Sequence, residues 1–165
     1  MKLPNVIIVE GIDRVGKTTL VNKLVNEFDY SVFVPLNKIP KNTARDMRIE
    51  TEKTYAALSL LKLLENDKVI IDRFHVSEFV YGLVERHYAN HECLNIDEIL
   101  SNMNALLVYV KPVDLQRSIR EHGENLEEHA KFFDIFYSVS KMMKTTCDYT
   151  TLDTVIESLK EGTFR

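Results

Sequence analysis

No apolar run in this sequence of 165 residues approaches the ~18 residues that a membrane span needs, so neither a spanning segment nor a membrane partner is expected. Cysteine is scarce as well. Cys93 and Cys147 stand alone without framework spacing, which argues against a disulfide scaffold and suits a reduced, cytoplasmic protein. Basic residues are not in excess. The 21 Lys and Arg face 25 Asp and Glu, a formal charge of −4, so a basic coat for nucleic acid is not expected and any anion site must be a local cluster of cations. Gly/Ser linkers, internal repeats and low-complexity segments are missing, and the length is that of one domain, 1–165, able to bury a core. The first apolar run, Val6 to Val9, is four residues long and leads straight into a loop, so no signal peptide is expected.

That loop is the most informative stretch of the chain. Gly11-Ile12-Asp13-Arg14-Val15-Gly16-Lys17-Thr18, followed by Thr19, fits the phosphate-binding pattern G-x-x-x-x-G-K-[ST]. A β-branched run precedes it, and Leu20, Val21, Leu24 and Val25 follow at helical spacing, which is the strand–loop–helix context the pattern requires. Gly11 and Gly16 let the backbone turn tightly and present N–H groups to an anion. The helix opening near Lys17 adds the positive end of its dipole. Lys17 supplies a point charge for β- and γ-phosphates, and the Thr18 hydroxyl a magnesium ligand. Gly11, Val15, Gly16, Lys17, Thr18 and Thr19 are thus candidate ATP-binding residues.

Strands and helices alternate along the rest of the chain. Helices are expected at about 17–28, 44–66, 76–88, 96–103, from Pro112 towards Arg120, at 126–145 and at 155–159, with Asn95 or Asp97 capping the fourth. Strands are expected at 6–9, 31–34, 68–72, 106–110 and 149–152. Residues 35–43, with Pro35 and Pro40, read as a loop. This alternation predicts an α/β fold of three layers, a parallel sheet of about five strands covered on both faces. Ligands of such sheets bind beyond the carboxyl ends of the strands, where the first loop, Pro35, Asp72 and Lys111 all fall. The helix at 44–66 is apolar on more than one side and so should be buried on more than one side, with a second subunit as one possible cover.

The segments Glu10 to Thr19 and Asp72-Arg73-Phe74-His75-Val76-Ser77 resemble thymidylate kinases and, more broadly, the phosphate-binding-loop kinases that include deoxynucleoside kinases. Both E-G-x-D-x-x-G-K-[ST] and D-R-aromatic-x-x-S-x-x-x-aromatic are present, the second from Asp72 to Tyr81. The resemblance implies a kinase with a short lid at about 122–125 that uses ATP and Mg2+ and forms a homodimer. It implies that Asp13 holds the acceptor's 3′-hydroxyl, that Arg14 touches the transferred phosphate, that Arg73 grips the acceptor phosphate and that Asp72 helps hold magnesium. Phe74, Ser77 and Tyr81 would lie beside the acceptor nucleoside, Tyr81 crowding the sugar's 2′ position. Arg117 on the pre-lid helix and Asp153 in Leu152-Asp153-Thr154 would lie on the ATP side. The family places an acceptor-phosphate arginine after the second strand, where Lys38, Arg45 and Arg48 are the candidates. Leu126 stands where many members carry a lid arginine, a change consistent with Arg14 in the loop.

Three activities fit these residues to different degrees. A kinase for deoxynucleoside monophosphates needs cations from several directions and no general base, because its acceptor is already ionised. A deoxynucleoside kinase needs a base for a neutral hydroxyl, and such enzymes usually show Glu-Arg-Ser where this chain has Asp72-Arg73-Phe74. A GTP-dependent switch would carry an N-K-x-D box, and neither Asn22-Lys23 nor Asn37-Lys38 is followed by Asp in that place. No F-x-x-x-R occurs between Arg48 and Leu60, where thymidylate kinases read the base. Thus dTMP leads, while dUMP, dGMP, dCMP and a broad range stay open.

Overall fold

The computed structural model describes residues 3–34, 52–53, 55–59, 67–122 and 125–163. Strands β1 (Val6–Glu10), β2 (Ser31–Phe33), β3 (Val69–Asp72), β4 (Leu106–Lys111) and β5 (Met143–Asp148) form one parallel sheet in the order β2-β3-β1-β4-β5. Helices α1 (Lys17–Phe28), α2 (His75–Arg86), α3 (Glu92–Asn102), α4 (Leu115–His122), α5 (Asn125–Val139) and α6 (Leu152–Glu161) connect them and cover both faces. Strands β1, β3 and β4 are near-continuous apolar runs because both of their faces are covered. α1 packs with α6 and α2 packs with α3 and α5. The edge strand β2 is three residues long, with Ser31 and Val32 exposed, and so offers little backbone for unwanted pairing.

The central strands bring the two sequence signatures together. Val9 is in register with Asp72, and the loop after β1 therefore meets the turn after β3 at the carboxyl edge of the sheet. A buried polar knot fixes the start of α2. Asp97 accepts from Ser140 Oγ at 2.7 Å and from Lys141 N–H at 2.7 Å, and lies 3.2 Å from His75 Nε2. These contacts hold the Asp97 carboxyl below its usual range although burial opposes that shift.

Several boundaries differ from the sequence reading. α5 stops at Val139 rather than 145, and the last strand is Met143–Asp148 rather than 149–152. Lys144 explains the stop: its ammonium donates to the carbonyls of Tyr137 (2.7 Å), Ser138 (3.3 Å) and Ser140 (2.9 Å), capping the helix from the next strand. β2 ends at Phe33, not Val34. Pro112 does not open α4. Asp114 caps it, accepting the Arg117 N–H at 2.9 Å. α3 begins at Glu92, whose N–H donates to Asn90 Oδ1 at 3.2 Å, so neither Asn95 nor Asp97 is its cap. α2 ends at Arg86, with His87 in the left-handed region at φ 53°, and α6 spans Leu152–Glu161.

Most of the expected helix at 44–66 lies outside the described residues. The described parts, 52–53 and 55–59, are helical, with Ala57 and Leu58 buried. Gly123 and Glu124 of the expected lid also lie outside them. No described helix is long and apolar enough to cross a membrane.

Candidate active site

β1 is followed by a glycine because the backbone leaves no room for anything larger. Gly11 has φ 142°, and a Cβ there would lie 2.3 Å from the Val110 carbonyl oxygen of β4. At Gly16 φ is 100°, and a Cβ would meet the Tyr149 ring at 2.8 Å. Between the two, Arg14 also takes a left-handed conformation at φ 62°. α1 then opens at Lys17, with the Leu20 N–H bonded to the Gly16 carbonyl at 3.0 Å, and its free first-turn amides face the loop.

Lys17 runs back along this loop, buried, and its ammonium donates to the Ile12 carbonyl. Its pKa is pulled from 10.5 to about 8, chiefly by burial and next by the Arg73 guanidinium, with Asp13 and Asp72 opposing. Burial thus disfavours the Lys17 charge even with carboxylates nearby. Around it lies a cleft of about 240 Å3 lined by Asp13, Arg14, Gly16, Lys17, Thr18, Asp72 and Arg73. Both sequence signatures, 60 residues apart, line this one cleft.

Arg73 is placed by its backbone. It follows β3 with φ 67°, an uncommon conformation for a residue with a side chain, and its N–H is tied to the Val9 carbonyl at 3.0 Å. Its guanidinium donates to the Tyr81 hydroxyl at 2.8 Å and to Asp13 Oδ1, and lies 5.2 Å from the Tyr81 ring centroid. Burial disfavours the Arg73 charge, but Tyr81 and Asp13 more than offset it and the pKa is raised. Burial also raises that of Tyr81, against the pull of Arg73. Tyr81 packs in turn on His129 of α5, ring centroids 4.7 Å apart.

Asp72 Oδ1 is buried and has no hydrogen-bond partner among the described residues. An unpaired carboxylate oxygen in a cleft that also holds the Thr18 hydroxyl is a donor set of the oxygen type that suits magnesium.

Other expected residues lie elsewhere. The Phe74 ring is fully buried, edge-on to His75 at 5.6 Å, and Ser77 is buried with its hydroxyl on Glu10. Neither lines the cleft, and Tyr81 is connected to it through Arg73. Gly11 and Val15 are buried in the loop, and Thr19 sits half-buried in the first turn of α1. Arg117 is exposed on α4 and paired with Glu121 at 2.8 Å. Asp153 is exposed at the start of α6 and paired with Lys23 of α1 at 2.6 Å. Lys38, Arg45 and Arg48 lie outside the described residues.

Glu10 is the residue whose part the sequence reading missed. Its fully buried carboxylate accepts the N–H groups of Phe74 (2.7 Å) and Ser77 (3.2 Å) and the Ser77 hydroxyl, so that β1 caps α2 and holds the turn carrying Arg73. The available signal was an acid ending an apolar strand immediately before a glycine.

No protein-family model matches the chain, and no curated protein matches its sequence. Solved structures do resemble it. The YorR protein of Bacillus subtilis, in complex with phosphorylated GDP, is 22% identical with a TM-score of 0.70, over 95% of this chain and 96% of that one. Deoxyadenosine kinase from M. mycoides with the products dCMP and a flexible dCDP is 16% identical with a TM-score of 0.59. The same enzyme with bound dATP is 14% identical with a TM-score of 0.57, and both structures cover 94% of this chain and 99% of theirs. The likeness is one of fold: a three-layer α/β kinase fold built on a five-stranded parallel sheet.

Proposed function

We propose that this chain is a nucleoside monophosphate kinase that transfers the γ-phosphoryl group of ATP to a deoxynucleoside 5′-monophosphate, with dTMP or dUMP as leading acceptors. One observation carries the reading: a second cation, Arg73, is anchored beside the phosphate-loop lysine in a single cleft. Joining two polyanions requires positive charge from more than one direction, and positioning with charge neutralisation is most of what phosphoryl transfer demands.

The roles are those the family resemblance implies, and the shared cleft supports them. The loop amides, Lys17 and Thr18 receive the donor polyphosphate, Arg14 stands over the group in transit and Arg73 draws the acceptor phosphate into line. Thr18 and Asp72 would hold Mg2+, which supplies charge neutralisation on the donor when bound. A deoxynucleoside kinase is the second reading, favoured by the named activity of the deoxyadenosine kinase structures. It would need a free general base for a neutral hydroxyl. Glu10 is held by the α2 amides, and Asp13 is paired with Arg73 in the resting cleft. Asp72, whose Oδ1 has no partner among the described residues, is the remaining carboxylate, which the monophosphate reading gives to Mg2+. A single domain and a homodimer belong to the same proposal.

A coupled ADP-release assay with matched nucleosides and monophosphates separates these readings. Turnover is expected with deoxynucleoside monophosphates and not with nucleosides. Turnover with nucleosides alone, or ATP hydrolysis that needs no acceptor, would overturn the proposal.

Lys17 gives this site a pH signature. A lysine with a free-state pKa of about 8 is mostly neutral at pH 9, and a bound polyphosphate favours its charged form. The bound pKa therefore exceeds the free one, so donor affinity is highest below about pH 8 and falls, up to ~10-fold per unit, above it. Calorimetry in buffers of different ionisation enthalpy should show proton uptake on Mg·ATP binding at pH 9 and little from this lysine at pH 7. No uptake at pH 9 would mean that Lys17 does not meet the donor.

A further inference from the structure

We propose that the Asp13–Arg73 ion pair is a latch opened by the acceptor's phosphate, which makes Asp13 a specificity-determining residue that competes with the acceptor for Arg73. This rests on reading the cleft as a phosphoryl-transfer site. Both partners line that cleft, and they differ in how they are held. The Arg73 side chain is 22% exposed and the Asp13 side chain 65% exposed. Arg73 keeps a hydroxyl and an aromatic face from Tyr81 whatever happens to Asp13, and its backbone is bonded to Val9. The residue before Asp13 is pinned by the Lys17 ammonium on the Ile12 carbonyl. The exposed carboxylate of Asp13 is therefore the part that can swing away while the loop and the guanidinium stay in place.

The exchange has a chemical consequence. A carboxylate carries one negative charge, and a phosphate monoester near neutral pH carries closer to two, with three oxygens for the planar guanidinium fork. A phosphate can displace Asp13, whereas a neutral hydroxyl cannot, so a nucleoside leaves the pair closed. The displaced carboxylate then faces the arriving phosphate and Asp72 in the same cleft, with Lys17 and Arg14 as the nearby cations. It stays open to solvent there, and it gains a bond to the ligand only if the ligand itself brings a hydrogen-bond donor, a charge-assisted contact stronger than one between neutral groups. The favoured ligand carries an ionised phosphate and a hydroxyl on one small frame, as a sugar monophosphate does. A ligand with phosphate alone pays for opening the latch and recovers nothing from Asp13.

Binding without turnover tests this. Protein saturated with Mg·ADP, which fills the donor side, is titrated with phenyl phosphate, with a 2′-deoxynucleoside monophosphate and with its 2′,3′-dideoxy form. In Asp13→Ala, phenyl phosphate and the dideoxy ligand should bind about ten-fold more tightly than to the wild type, the scale of one charge-assisted hydrogen bond, while the hydroxyl-bearing ligand binds more weakly. In the Arg73→Ala background, Asp13→Ala should bring no tightening. Equal phenyl phosphate affinity in wild type and Asp13→Ala, or tightening that survives without Arg73, would overturn the latch. Tightening in a protein that transfers no phosphoryl group would uphold the latch and remove the kinase reading. Turnover without tightening would do the reverse.

Discussion

Arg73→Ala is expected to lower kcat for a nucleoside monophosphate about 10³-fold, the scale on which phosphoryl transfer depends on a single well-placed guanidinium. The loss should fall on chemistry and not on folding. Arg73 sits at the rim of the core, its exposed contact is Asp13, and the αL turn it occupies places similar steric demands on alanine. A thermal melt should therefore move by no more than ~6 °C, since the part-exposed ion pair with Asp13 and the hydrogen bond to Tyr81 are each worth about 1 kcal/mol. Arg73→Lys should recover only part of the rate, because an ammonium cannot reproduce the two-pronged contact with Tyr81 and a phosphate. If Arg73→Ala keeps more than a tenth of the wild-type kcat on the preferred acceptor, Arg73 does not grip the acceptor phosphate.

The parts of the molecule that could be read in advance are those where one residue type is forced locally. Gly11 and Gly16 have conformations and close contacts that admit no side chain, and so the loop appears in the sequence as a pattern. Strands β1, β3 and β4 appear as unbroken apolar runs because both their faces are covered. β5 carries no such mark. As Met-Lys-Thr-Thr-Cys-Asp at the sheet edge it is largely half-buried, and its pairing with β4 is a matter of backbone. The end of α5 was equally hidden, because it depends on Lys144 reaching back from the following strand. Within the site, Lys17 and Thr18 were legible from the loop itself. The Arg73–Asp13 contact spans 60 residues and exists only because β1 and β3 are neighbours in register. Phe74 illustrates the opposite error of scale. Its position in the signature is next to Arg73, yet the alternation of the chain at that turn sends its ring into the core.

Glu10→Ala is expected to destabilise the protein by about 3–5 kcal/mol. Three groups lose their acceptor at once: the N–H groups of Phe74 and Ser77, and the Ser77 hydroxyl, all in a place closed to water. Each buried donor left unsatisfied costs about 1–3 kcal/mol, and an anion at a helix N-terminus is worth up to ~2 kcal/mol in partly buried settings. The fall in melting temperature should be near 10 °C for a chain of this size. Glu10→Gln keeps the shape and one carbonyl acceptor, so it should lose roughly half as much. The two variants also separate stability from activity. The N–H of Phe74 held by Glu10 immediately follows Arg73, whose own N–H is held by Val9 of the same strand. β1 therefore grips the Arg73 turn on both sides, and loosening one grip should widen the range of positions the guanidinium samples. In Glu10→Gln, kcat should fall ~10-fold or more at temperatures where the variant is fully folded, because misplacement of about 1 Å can cost 10²-fold. Full activity in a folded Glu10→Gln would show that Tyr81 and Val9 position Arg73 unaided. An unshifted melt in Glu10→Ala would show that water replaces the carboxylate at the start of α2.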